Sequence, residues 1–262
     1  MNMPYDISWR SIALWKRNRD VFLNTWKTNF VPPFLEPILY LVAMGMGFGA
    51  LIQGDLEYHG QSMEYIKFLA PGLVAISIMY GAFFECTYSS FVRMYYQKTF
   101  DAVMATPLSL EDIIAGEILW GATKSFINAT IVLLVISLFG YAELPGLLLI
   151  PIIAFVGGLM FASLAMLFTA LVPNMDSFNY PFFLLITPMF LFSGTFFPLN
   201  VLPQWGQDLA MALPLTHISN MVRDLSYGIY DSDLLVGAAY VVVLTIATFV
   251  ASVYLMRKRL IS

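Results

Sequence analysis

The sequence predicts an all-α integral membrane protein of six transmembrane helices, with an N-terminal interfacial amphipathic helix, a short cytoplasmic helix and an outer re-entrant helical segment before the last span. Three observations lead there. Of the 262 residues, 59% are hydrophobic and 11% charged, where a soluble domain carries about a quarter charged residues. Six runs reach the roughly 20 apolar residues that a spanning helix needs. Lysine and arginine collect on one side of those runs.

The runs lie near 30–52, 66–92, 113–139, 147–172, 178–198 and 234–256. With the N-terminus inside, the cytoplasmic segments hold Arg10, Lys16, Arg17, Arg19, Lys27, Arg93, Lys98, Arg257, Lys258 and Arg259, and the outer side holds Lys67 and Arg223. Six spans return the C-terminus to the cytoplasm. The expected division is one membrane domain over 1–262: an interfacial helix to residue 29, five spans over 30–198, an outer segment over 199–233 and the sixth span over 234–256.

Residues 8–28 are too charged to be a seventh span. On a helical wheel Ile12, Trp15, Phe22 and Trp26 group together and Arg10, Arg17, Asp20 and Lys27 lie opposite, with Arg19 on the apolar side. A cationic, Trp-rich helix of this kind lies in the headgroup plane. Composition leaves open whether it only anchors or also bridges to a cytoplasmic partner. No short apolar core ends in a small-residue cleavage site, so the N-terminus is expected to stay in the mature protein.

In the first span Glu36 lies between Pro33 and Pro37 near the inner end, where hydration is expected. The GMGFG of 45–49 lacks the preceding strand and the Gly-Lys-Ser/Thr ending of a phosphate loop. Close helix packing is the expected use, and the chain is expected to hold no nucleotide itself.

Glu85 in the second span and Lys124 in the third are several residues inside their helices, where an unpaired charge costs at least about 2.5–3.5 kcal/mol. At similar depth on antiparallel helices they can pair, either as structural glue or as a polar patch on a transport path. Glu117, near the start of the third span, is expected to be hydrated.

Between these spans Thr106-Pro107 stops one helix, and Ser109 followed by Glu111 and Asp112 starts another, because the hydroxyl can cap and the acidic pair suits the first turn. Lys98 to Met104 is then a short helix along the membrane face. PNMDS at 173–177 is a turn that separates the fourth and fifth spans. The stretch 193–224 is broken by Pro198, Pro203 and Pro214 and is still apolar, so it is expected to fold back into the outer membrane face as short helices.

Several function classes drop out. Cys86 is the single cysteine, and His59 and His217 lie far apart without an HExxH spacing, so disulfide, redox and metal chemistry are not expected. An intramembrane enzyme needs a nucleophile or acid/base pair at one depth. His217 and Asp208 share the outer segment, but no activated serine accompanies them, and no catalytic residue is expected. A passive channel needs a polar filter, which is absent. Asn128-Ala-Thr130 lies in a span and is set aside as a glycosylation acceptor. The many span aromatics, such as Phe83, Phe84, Tyr88, Phe182 and Phe190, suit packing, and a few lining a passage suit sugar rings or acyl chains.

Three long stretches, FLAPGLVAISIMYGAFFE (68–85), FVRMYYQKTFDAVMATPLSLEDIIAGEILWGATK (91–124) and SGTFFPLNVLPQWGQDLAMALPLTHISNMVRDL (193–225), resemble the membrane subunit of bacterial ABC transporters of the second exporter type. The likeness is greatest to the permeases of lipo-chitooligosaccharide (nodulation factor) exporters. It implies two copies of such a chain with two copies of a separate cytoplasmic ATPase that holds ATP and magnesium, in the bacterial inner membrane with both termini cytoplasmic. It implies ATPase docking by the N-terminal helix, with Arg17 and Arg19, and by Lys98, Thr99, Phe100, Asp101, Met104, Thr106 and Pro107. It also implies an exit gate built from 198–224. Phe196, Phe197, Pro198, Pro214, His217 and Arg223 are then expected at the gate, with Glu85 and Lys124 on the path and Asp208 and Asp224 as further polar groups at the mouth. The implied cargo is an amphiphile, a lipo-oligosaccharide or lipid-linked glycan, although related permeases move drugs or other lipids. Nucleic acid is not an expected partner.

Overall fold

Residues 7–52, 54–142 and 146–261 are described by the computed structural model; the first six residues of the expected interfacial segment lie outside them. Helix α1 (Ser11–Asn24) is followed by α2 (Trp26–Tyr40), which carries Pro32, Pro33 and Pro37 and passes into an i→i+5 (π) turn at Leu41–Phe48 and a 3₁₀ turn at Gly49–Leu51. Three prolines without N–H groups leave carbonyls four residues earlier without their helical partners, missing rungs that membrane helices tolerate. A small antiparallel hairpin, β1 (Leu56–Tyr58) and β2 (Gln61–Met63), leads into α3 (Tyr65–Phe84). That helix continues through π turns at Glu85–Ser89 and Val92–Tyr96.

Lys98 then takes a left-handed backbone conformation, φ 54°, and α4 (Thr99–Met104) sets off in a new direction. Helix α5 (Leu110–Leu138) starts three residues before the expected 113. Ser109 accepts from the Asp112 N–H at 3.0 Å while the Asp112 carboxylate accepts from the Ser109 N–H at 3.3 Å, a reciprocal cap that secures the first turn. Helix α6 (Gly146–Leu171) follows.

Five helices are long and apolar enough to cross a membrane among the described residues: Val31–Leu51, Tyr65–Tyr96, Leu110–Leu138, Gly146–Leu171 and Ser232–Leu260. The expected fifth span over 178–198 is different. A 3₁₀ turn (Met175–Phe178), α7 (Asn179–Pro181), a π turn (Phe182–Ile186) and α8 (Thr187–Phe192) make one broken helical run that stops at Phe192. Pro181 and Pro188 remove backbone donors, and Gly194, φ 66°, turns the chain out of the helix. The segment that follows forms α9 (Gln204–Ala212) and α10 (Pro214–Ser226) before α11 (Ser232–Ile261).

Helix α3 is the centre of the bundle, packed by α5, α6 and α10. Its Gly72 allows the turn after α8 to approach so closely that an added Cβ would stand 2.7 Å from the Thr195 carbonyl oxygen. In GMGFG the expected close packing holds at Gly45, which faces Ile66, and not at Gly47, which faces open space.

At the α4 end several segments are tied together. The Ser8 N–H donates to Asp112 Oδ1 at 2.6 Å, Arg10 Nη1 to the Pro107 carbonyl at 2.7 Å, and Arg259 Nη1 to the Val172 carbonyl just past the end of α6 at 2.7 Å. Arg257 pairs with Glu111 at 3.4 Å. Helix α1 also has an edge that the wheel did not single out. Ile12 and Trp26 are exposed, and the buried edge is Leu14 and Asn18. Gly116 of α5 lets Leu14 sit against the helix, and a buried carboxylate on α5 needs the Asn18 amide.

Candidate functional site: a buried charge cluster between two clefts

Glu117, Trp120 and Lys124 recur at i, i+3 and i+7 and so line one face of α5. Across from them stand Glu85 and Arg93 from the π-turned end of α3. Lys124 Nζ donates to Glu85 Oε2 at 2.7 Å, and Trp120 Nε1 to Glu85 Oε1 at 3.1 Å. Arg93 bridges the two acids, 2.8 Å from Glu85 Oε1 and 2.5 Å from Glu117 Oε2. Asn18 of α1 completes the set by donating to Glu117 Oε1 at 3.0 Å.

Two carboxylates and two cations cancel, which is what a buried group of charges requires. Two expectations are corrected. Glu117 is not hydrated but wholly buried, and Arg93, counted with the cytoplasmic cations, is drawn into the cluster. Glu36 remains exposed.

The cluster stands between two clefts. One, of about 440 Å³, runs between α2, α3 and α5 past Glu36, Tyr40, Ser77, Tyr80, Phe84 and Asn128. The other, of about 450 Å³, is lined by Arg17, Asn18, Phe22, Tyr88, Gln97 and Met175. Asn29, Glu85, Ser89 and Lys124 border both. Arg17 therefore turns inward, where its Nη1 donates to Asn18 Oδ1 at 3.0 Å. Arg19 faces out beside Asp20, its guanidinium 5.5 Å from the Trp15 ring.

In α4 the side chains divide. Thr99 and Phe100 are buried and seat the helix, and Met104 is half-buried. Lys98 and Asp101, 4.0 Å apart, have 65% and 58% of their side chains exposed. Thr106, whose hydroxyl donates to the Val103 carbonyl at 2.6 Å, and Pro107 are also exposed.

The outer candidates sit at the opposite end of α3, so the expected path residues fall into two places. Arg223 is buried beneath the outer segment, at 1% exposure, and not at its mouth. Its Nε donates to the Phe68 carbonyl at 3.2 Å, Nη2 to the Gly194 carbonyl at 2.8 Å, and its guanidinium lies 3.8 Å from the Phe68 ring centroid. It thereby fastens α10 to α3 and to the turn after α8. Asp224 accepts the Tyr58 hydroxyl at 2.7 Å. Burial pushes the Asp224 carboxyl above the usual range and the Tyr58 hydroxyl likewise upward. His217 stacks on Tyr240, 4.1 Å between centroids, and its Nε2–H donates to the Met211 carbonyl at 3.0 Å. Phe196 meets Phe190 edge-on at 4.9 Å and Tyr40 at 6.5 Å. Phe197 and Pro198 are half-buried, Pro214 is buried at the first turn of α10, and Asp208 is exposed, holding Gln204 at 3.0 Å.

The profile of the ABC-2 type transporter family matches residues 11–227. The chain belongs to this family. It is 37% identical over 257 residues to Nodulation protein J of Rhizobium meliloti strain 1021, covering 96% of this chain and 94% of that protein. It is 38% identical over 252 residues to Nodulation protein J of Bradyrhizobium diazoefficiens strain USDA 110, covering 95% and 93%. The inner membrane transport permease YadH of Escherichia coli K12 is 24% identical over 237 residues, covering 90% of each.

As an ABC-2 transporter the chain is a multi-pass membrane subunit that works with an ATP-binding subunit. The matched region contains the charge cluster, both clefts and α4, and ends just beyond α10. Among the described residues no group of three His, Cys, Asp or Glu side chains is placed to hold a metal ion. Asn18, Arg93, Glu117 and Trp120 were not expected in the site. The 117/120/124 spacing on α5 is the sequence signal that points to them.

Proposed function

We propose that this chain is the membrane subunit of an exporter that moves a lipo-oligosaccharide or lipid-linked glycan outward across the bacterial inner membrane. Two copies form the path, both termini are cytoplasmic, and ATP and magnesium are bound and ATP hydrolysed on a separate cytoplasmic ATPase; the chain itself has no catalytic residue. The carrying observation is the cleft between α2, α3 and α5, which sets the rings of Tyr40, Tyr80 and Phe84 beside the polar groups of Glu36, Ser77 and Asn128. Such a lining suits a molecule with hydroxyl-bearing and apolar parts. The resemblance of 68–85, 91–124 and 193–225 to lipo-chitooligosaccharide exporter permeases supports the saccharide part of the cargo.

In this reading α4, with Lys98, Asp101, Thr106 and Pro107 outward, and α1 receive the ATPase. Its closure on ATP moves the first, second and fifth spans of two copies, where Pro32, Pro33, Pro37, Pro71, Pro181 and Pro188 ease bending. The outer segment with Phe196, Phe197, Pro198, Pro214 and His217 opens and closes the exit, and the buried Arg223 anchors it.

The test is reconstitution of the chain with its ATP-binding subunit in inverted vesicles supplied with a lipo-chitooligosaccharide. ATP-dependent accumulation in the lumen is expected. Stable co-purification of the ATPase with no accumulation of any glycolipid would overturn the cargo.

A further inference from the structure

A third cavity, of about 380 Å³, opens at the α10 end, far from the charge cluster. Its walls are the β1–β2 hairpin, the turn after α8, and α10. The hairpin wall is preorganised. His59 and Gly60, at φ 48° and 73°, form the two-residue loop between Tyr58 and Gln61 with both residues in the left-handed region, the geometry that matches the twist of paired strands. Tyr58 is then held by Asp224, and its ring lies 5.2 Å from the Arg223 guanidinium.

The cavity's chemistry selects among ligands. Arg223 is the one lysine or arginine in its lining, and the guanidinium already donates to two carbonyls and lies against two rings. An anion therefore finds the Nε and Nη2 donors already engaged, and the exposed Glu57 carboxylate at the rim disfavours one further. An apolar ligand would strip water from the groups that remain. Among the described residues the Asn200 side chain has no hydrogen-bond partner, and Asn220 uses its Oδ1 alone, accepting from Arg223 at 3.4 Å. Two planar amides, a carboxylate and the Tyr58 and His59 rings, which meet edge-on at 4.7 Å, are left facing the cavity. Hydroxyl groups both donate and accept, and the C–H faces of a sugar pack on rings, so this set fits a saccharide.

We propose that this outer cavity is a saccharide-binding site, with Asn200, Asn220 and Glu57 hydrogen-bonding the sugar and Tyr58 and His59 packing on it. It rests on the glycan-exporter reading for its cargo, and the sugar arrives either as the glycan of the molecule being exported or as free saccharide outside.

The probe is tetra-N-acetylchitotetraose, added to the chain in complex with its ATP-binding subunit in nanodiscs and followed by saturation-transfer NMR. Transfer to ring and acetyl protons is expected, with at least a threefold loss in Asn200→Ala/Asn220→Ala at an unchanged unfolding temperature. Slower lipo-chitooligosaccharide export by the same variant in inverted vesicles assigns the site to cargo; unchanged export assigns it to free saccharide. No transfer in the wild-type complex, or equal transfer in the variant, overturns the site even where export is intact. Transfer without export of any glycolipid upholds the site and removes the proposed cargo.

Discussion

Asn18 and Glu117, 99 residues apart, meet at 3.0 Å in the buried interior, where an amide of the N-terminal helix serves a carboxylate of α5. A hydrogen bond to a charged group is worth about 1.5–3 kcal/mol. Helix α1 is thus part of the bundle. Asn18→Ala should lower stability by about 2 kcal/mol on that basis, read as a fall in the thermal midpoint in detergent. An unchanged midpoint would show that Glu117 does not need the amide.

Arg93 neutralises two carboxylates at once. Arg93→Met leaves Glu85 with Lys124 but strands Glu117, and breaking a buried pair from one side costs about 3–5 kcal/mol. Removing the stranded acid as well, in Arg93→Met/Glu117→Leu, restores the charge balance. The double variant should be the more stable of the two, and a double variant no better than the single would refute the account.

Helix α4 separates seating from presentation. Phe100→Ala should cost about 3 kcal/mol of stability, as aromatic truncations in packed interiors do. Lys98→Ala/Asp101→Ala should leave the thermal midpoint unchanged and reduce co-purification of the ATP-binding subunit severalfold. Full assembly and full transport in that variant would remove α4 from the ATPase contact.

The sequence shows some of this and hides the rest for physical reasons. Glu85 and Lys124 are legible as a pair because two opposite charges deep in apolar runs have few other partners, and α4 is legible from Thr106-Pro107 and Ser109. Arg93 and Glu117 are hidden by their position near run ends, which hydropathy assigns to water. The π turns carry α3 on to Tyr96 and the Ser109–Asp112 cap starts α5 at Leu110, so both residues are enclosed. The run over 178–198 is apolar throughout, and apolarity does not register what Pro181, Pro188 and Gly194 do to a backbone. Counting spans leads one to expect Arg223 at the end opposite the N-terminal cations, but its burial depends on the Phe68 and Gly194 carbonyls, 155 and 29 residues away.

Acidity should act at the α10 end through Asp224. Burial raises its pKa, and Asp233 adds to this, against the lowering influence of the Tyr58 hydroxyl, His59 and Arg223. The fold therefore favours the protonated acid. Its contribution is complete below the ordinary aspartate value of about 3.9 and is lost as pH rises through the higher folded value. Asp224→Asn, which keeps an acceptor for Tyr58 without the charge, should flatten the fall in thermal midpoint as pH rises above about 3.9, relative to wild type. Parallel profiles would exclude Asp224 as the titrating group.

The π turn at Glu85–Ser89 sets the angular phase of the cluster. Residues eight apart on a straight α-helix stand roughly 80° out of step, so Arg93 would point well away from the side chain it has to reach. A wider turn accommodates about one extra residue, and swings Arg93 back to roughly 20° from Glu85. Both charged groups then face α5 from a single helix, two turns apart. The loosened backbone is in this sense an indexing device, since a helix of uniform pitch over the same stretch would turn the guanidinium away from Glu117.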